Sequence, residues 1–281
     1  MVRQLIVNAD DYGRTPGVTE GILRAHEHGI VTSATVMMNM PHASESLRLA
    51  EEHPRLGVGV HLVFTSGYPV LLPEEVPSLV HGSGAFYRPQ ELMARLIEVD
   101  LDQLRAELRA QIKLFLSSGR RPTHLDCHHL TYLYPPFFAV HMDLAKEFGL
   151  PMRVPLPPLE KIGEQEVPTI AAMPPDVLLR VATEDWRLVR ESGVSHPDHF
   201  VGGFFGAEAL TMERLLRILE ELPAGVTEMM THPGLADEQL RRESGYAVER
   251  ERELELLCHP RVREKVNELG IELVNFGVLA R

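Results

Sequence analysis

The chain has 281 residues, of which 44 % are hydrophobic and 24 % charged, enough apolar material for a sizeable core and too much for gross disorder. Its formal net charge of −12 sets it against nucleic acid and anionic membrane and leaves neutral or cationic partners. Two cysteines, Cys127 and Cys258, make no disulfide framework, as suits a reducing compartment.

Residues 4–7 read as a buried strand. A helix is expected over 15–28, with Thr15 as N-cap, Pro16 at the first helical position and Gly29 as the stop. A strand at 33–38, a helix at 44–52 ended by Pro54, and a strand at 57–62 follow. Residues 64–88 are rich in Gly, Pro and Ser and read as a long loop, a class that often serves as a functional lid. Helices are expected at 89–99 and 101–117; in the second, Leu101, Leu104, Leu108, Ile112 and Phe115 recur at helical spacing. Then come a strand at 123–126, a helix at 136–148, a short strand at 152–154 and a proline-rich loop at 155–175. Helical segments at 174–191, a strand at 198–201, a helix at 212–222, a strand at 226–231, a charged helical pair over 247–269 and a strand at 271–275 complete the chain.

About eight strands alternating with helices predict an α/β fold with a parallel sheet and right-handed crossovers. Closed on itself, that sheet is an irregular (β/α) barrel. There is no internal repeat, low-complexity tract or linker, so residues 1–281 are read as one domain. No apolar run reaches the roughly 18 residues needed to cross a bilayer. The opening MVRQLIVNADD lacks the apolar stretch of a secretory signal, so a cytoplasmic protein is expected.

In parallel α/β folds, reactive groups gather past the C-terminal ends of strands. Here the strands end in Asn8-Ala9-Asp10-Asp11, in His61, in a segment holding His124, Asp126, His128 and His129, at Arg153, near Asp198 and His199, and in His232-Pro233-Gly234. Each signal alone is weak: an Asp pair after a strand commonly caps a helix, and a lone strand histidine commonly sits satisfied in the core. Their convergence on one rim points to chemistry. An aspartate with two histidines suits a mononuclear metal with positions open for water and substrate. Strand alternation puts Asp126 and His128 on one face, Cys127 and His129 on the other. Of the adjacent Asp10 and Asp11, one can ligate a metal while the other accepts a proton from water, the arrangement amide hydrolysis uses, and His232 could protonate the departing amine.

Six segments, N-A-D-D-Y-G (8–13), G-V-H-L (59–62), T-H-L-D-C-H-H (123–129), R-V-P (153–155), D-H-F-V-G (198–202) and T-H-P-G (231–234), together resemble the YdjC-like carbohydrate deacetylases, which include chito-oligosaccharide deacetylases. The resemblance spans nearly the whole chain in order. It implies a distorted (β/α) barrel related to the polysaccharide deacetylases, with Asp11, His61 and His128 binding one divalent metal and Asp10 as base. It also implies His232 as general acid or oxyanion partner and Arg153 as the residue orienting Asp10. The implied reaction is metal-dependent removal of the N-acetyl group from an amino sugar or small oligosaccharide. Mg or Zn is the expected ion, with Mn, Co or Ni as alternatives. An N-acetylated sugar is the expected partner, with no nucleic acid or membrane, and a homo-oligomer is possible. Where further alternating histidines often continue the fourth-strand motif, this chain has Leu130.

The remaining polar features have plainer readings. Cys127 is read as a small apolar residue turned from the site, and His124 either as a ligand or, the favoured reading, as orienting Asp126. His26, His28, His42, His53, His81, His141 and His259 are expected in solvent, and the Arg/Glu run at 241–255 is read as a solvated helix face, with a subunit contact as the alternative. Phe64, Tyr68, Tyr87, Tyr132, Tyr134, Trp186, Phe204 and Phe205 are candidates for a sugar platform. The competing functions are a metal-dependent amidohydrolase or phosphoesterase and a sugar-binding barrel without activity. The first usually carries His-x-His on strand one where Asp10-Asp11 stands, and the second would lack a base or ligand that this chain retains.

Overall fold

A computed structural model describes residues 2–159 and 175–280. In chain order the elements are β1 (Arg3–Tyr12), α1 (Pro16–His28), β2 (Ser33–Val36), α2 (Ala43–Leu49), β3 (Gly57–Leu62), α3 (Pro89–Met93), α4 (Leu101–Leu116), β4 (Leu125–Cys127), α5 (Pro135–Phe148) and α6 (Pro175–Ser192). They continue with β5 (His199–Val201), α7 (Met212–Glu220), β6 (Gly225–Thr231), α8 (Glu238–Glu243), α9 (Val248–Leu257), α10 (Pro260–Glu268) and β7 (Glu272–Leu273). The class is α/β with parallel strands, as the alternation of strand and helix predicts. The chain divides into two compact units, one of Met1–Met37, Pro41–Gly59 and Pro197–Arg281, the other of Met38–Met40 and Val60–His196.

In the first unit, β2, β1, β6 and β5 lie side by side, and β7 pairs with β1. The β1–β6 register runs from Arg3 opposite Gly225 to Ala9 opposite Thr231. β1 therefore outruns the expected 4–7 and carries the Asp pair within the strand. Between Ala9 and Tyr12 its register with β2 shifts, and Asp11 takes φ 70°, a left-handed conformation uncommon for any residue with a Cβ. Thr15 caps α1 by accepting from Val18 N–H, with Pro16 at the first position, as the sequence predicts. A Cβ on Gly21 would come within 2.4 Å of Gly234 Cα, so bare glycines let α1 lie directly against the His-Pro-Gly segment. Leu235 N–H donates to Gly17 O at 2.9 Å and fixes that approach.

In the second unit, the end of β3 pairs with β4, setting Val60, His61 and Leu62 opposite Leu125, Asp126 and Cys127. Helices α4, α5 and α6 pack successively, and Leu104, Leu108, Ile112 and Phe115 of α4 are buried as their spacing predicts. The strand expected at 152–154 is a single bridge from Met152 to Leu125, because Pro151 and Pro155 supply no ladder N–H. The loop over 64–88 is tied to α4. Glu107 accepts from Val70 and Leu71 N–H, Gln111 exchanges two hydrogen bonds with Val63, and Gln103 accepts from Ser78 N–H. The loop expected at 155–175 falls largely on 160–174, outside the described residues.

Candidate active site

In the first unit, Asp10, Asp11 and His232 are brought together by β1 and β6. Their ladder ends at Thr231, whose Oγ1 donates to Asn8 O at 2.9 Å, so His232 emerges beside Asp10. The His232 Nε2 lies 3.9 Å from Asp10 Oδ2. Asn8 Nδ2 donates to Asp10 Oδ1 at 2.8 Å and fixes the carboxylate plane. Asp11 Oδ2 receives Arg250 Nη2 and, at 3.2 Å, Arg14 Nη1. Both aspartates are buried. A buried carboxylate is stable as an anion only when hydrogen-bonded or paired, and each has such partners.

Two of these neighbours come from α9, within the run expected to be solvated. Arg250 and Glu253 are both fully buried. Their three-residue spacing puts them on the same helix face as buried Leu254 and Leu257. Glu253 accepts His232 N–H at 2.6 Å and the Tyr246 hydroxyl at 2.6 Å. Burial pushes its carboxyl up to about 7. Phe205 stacks on Tyr246 at 4.4 Å between ring centres and lies 5.1 Å from the His232 ring, yet is 49 % exposed.

In the second unit, His61, Asp126, His128 and Arg153 come together, all buried. Because His61 and Asp126 are opposite in a parallel register, their side chains share a face, and His61 Nδ1 sits 2.7 Å from Asp126 Oδ1. Arg153 Nη1 pairs with Asp126 Oδ2 at 3.1 Å. An Nδ1–H held by a carboxylate leaves the His61 lone pair on Nε2, the tautomer a ligating imidazole requires. The His128 ring lies edge-on to His61 at 5.3 Å, and His128 N–H extends the ladder to Leu62 O. Regular alternation stops there. His129 takes φ 64°, which brings its ring to 3.9 Å from that of His128 and its Nδ1 to 2.9 Å from Thr65 Oγ1, instead of onto an opposite face.

Other sequence candidates make local contacts. Asp198 accepts Val226 N–H, and His199 Nε2 meets Ala224 O at 3.2 Å. His124 Nδ1 meets Thr123 Oγ1 at 2.9 Å. His141 is buried, not solvated: α5 turns it into the core, Nδ1 meets Phe137 O at 2.8 Å, and burial lowers its pKa to about 4. Phe64, Tyr132 and Phe204 are core aromatics.

A parallel α/β chain with carboxylates and imidazoles at its strand ends is the framework of many hydrolytic enzymes. Residues 4–268 match the YdjC-like protein family, and the chain belongs to that family. It is 39 % identical, over 98 % of its length and 99 % of the relative's, to a carbohydrate deacetylase of Brevibacillus brevis. It is 32 % identical to a chitooligosaccharide deacetylase of Yersinia enterocolitica over 99 % of both chains. A crystal structure of an Enterococcus faecalis V583 protein, proposed to cleave cellobiose phosphate, superposes with TM-score 0.86 at 33 % identity and full coverage of both chains. Among the described residues, no helix is long and apolar enough to cross a membrane.

Proposed function

We propose that the chain is a metal-dependent deacetylase that hydrolyses the N-acetyl group of an amino sugar or short oligosaccharide and releases acetate. Asp11, His61 and His128 are the proposed metal ligands, Asp10 the base, His232 the acid and Arg153 a positioning residue. The observation that carries the reading is the Asp126-held imidazole of His61, since a carboxylate on the far nitrogen is the usual support of a ligating histidine. One carboxylate and two imidazoles, all buried, fit a divalent ion, with Zn, Mn, Co or Ni better matched than Mg. The family membership and the deacetylase names of its relatives support the substrate class.

Such an ion would polarise the acetyl carbonyl and acidify water at the site. Asp10, its plane set by Asn8, accepts the proton of the attacking water. As the new C–O bond forms and the C–N bond breaks, His232 delivers a proton to the departing nitrogen, leaving acetate and the free amine. The arginines on Asp11 Oδ2 orient that carboxylate, which would hold the ion together with His61 and His128.

The test is acetate release from N-acetylated mono- and disaccharides, with and without chelator. Release abolished by chelator and restored by one of the named metals is the expected result. Phosphate release from sugar phosphates instead would favour the phosphoesterase alternative, and binding without turnover across metals and substrates would refute catalysis.

A further inference from the structure

We propose that Glu253 is the positioning residue that orients His232 for proton delivery, and that Tyr246 locks Glu253 in place. The inference rests on His232 being the acid. The two ring nitrogens of His232 face two different carboxylates: Nε2 is 3.9 Å from Asp10 Oδ2 and Nδ1 is 3.8 Å from Glu253 Oε1. Glu253 also holds the His232 backbone, accepting its N–H on Oε2 at 2.6 Å. The same side chain thus grips residue 232 at the backbone and faces its ring. Tyr246 donates its hydroxyl to Oε1 at 2.6 Å, and that hydroxyl receives Gly206 N–H at 3.2 Å. Phe205 and Tyr246 flank the imidazole at 5.1 and 5.9 Å, limiting its rotation.

A buried carboxylate behind Nδ1 makes Nε2 the working nitrogen and stabilises the imidazolium, which is the logic of an acid–base histidine with an orienting acid. The 3.8 Å gap is longer than a hydrogen bond, as such contacts often are before substrate binds. The groups facing Glu253 are His232, Tyr246, Arg250 and Asp10. Burial raises the Glu253 carboxyl; the His232 N–H, the Tyr246 hydroxyl and Arg250 pull it down, and Asp10 adds to the rise. The Tyr246 hydroxyl is itself pushed well up by burial and by Glu253, so it remains a donor across the working range.

Glu253→Gln keeps the shape and removes the charge. Its kcat should fall about tenfold or more with KM little changed, and the His232 limb of the pH–rate profile should move to lower pH. Histidine-selective NMR, with His232 assigned through His232→Gln, should show the imidazole titrating at lower pH in Glu253→Gln than in the parent. Tyr246→Phe should move it less, because the carboxylate remains. Glu253→Asp should recover part of the loss. An unmoved His232 titration together with unchanged kcat overturns the inference. Should Glu253→Gln not fold, an unmoved titration in Tyr246→Phe overturns it. NMR separates this result from the enzymatic reading. A moved titration in a protein inert toward acetylated sugars refutes the deacetylase and keeps the pair, whereas an active parent with an unmoved titration does the reverse.

Discussion

Removing the Asp126 charge tests the second unit's cluster from two sides. Asp126 accepts from His61 Nδ1 at 2.7 Å and pairs with Arg153 at 3.1 Å, with all three side chains buried. Deleting one member of a buried ion pair costs about 3–5 kcal/mol, because the other charge stays in a poorly solvating environment. Asp126→Ala should approach that figure. Asp126→Asn retains an acceptor oxygen for one of the two donors but loses the charge and the other acceptor, so about 2–3 kcal/mol is expected. Urea unfolding monitored by circular dichroism reads this directly. On the proposed function, the same change frees His61 to rotate and to choose the wrong tautomer. Metal affinity, measured by calorimetric titration, should then drop about 10- to 100-fold. If Asp126→Asn unfolds within about 0.5 kcal/mol of the parent and binds metal equally well, the cluster is neither a buried ion pair of consequence nor a support for a ligand.

Asp10→Asn should abolish acetate release while leaving metal bound by calorimetry, since the change removes a base and no proposed ligand; full activity would refute the assignment of the base. Glu107→Ala strips Val70 and Leu71 N–H and Gln111 of their acceptor, and should destabilise by about 2–4 kcal/mol and expose 64–88 to limited proteolysis; unaltered protease resistance would show that the loop holds itself. Asp185 is buried, neither of its oxygens has a hydrogen-bond partner among the described residues, and burial, with a lesser push from Glu184, raises its carboxyl to about 8. The folded state then keeps a proton that the unfolded chain loses near pH 4, so this group's contribution falls as pH rises from about 4 to about 8. Asp185→Asn should stabilise the protein at pH 8 by an amount bounded near 5 kcal/mol and do little at pH 4; an equal shift in urea midpoint at both values would refute it.

The parallel α/β class was legible because buried strands read as apolar runs and helices as 3.6-residue stripes. The placement of Asp10, Asp11 and His232 near strand ends of one unit, and of His61 and His128 near strand ends of the other, was legible for the same reason. What escaped was set by tertiary environment. A run such as VERERELELL has the composition of a solvated helix, and nothing local marks Arg250 and Glu253 as buried. A signal was available: both lie on the face of Leu254 and Leu257. The extension of β1 past Val7 was hidden because Asn and Asp are poor strand formers, and here the pairing partners Ser33–Val36 and Thr231 override propensity. His129 escaped because alternation presumes regular backbone, which its φ of 64° breaks.

The left-handed backbone of Asp11 restricts which side chains could ever replace it. Asparagine and glycine tolerate that geometry, whereas a β-branched residue would resist it by about 1–2 kcal/mol before any question of chemistry arises. The backbone at position 11 thus admits a change of charge without added strain but resists a change of shape. Asp11→Asn is consequently the substitution that isolates the carboxylate, and a loss seen with Asp11→Val would mix electrostatics with a distorted chain.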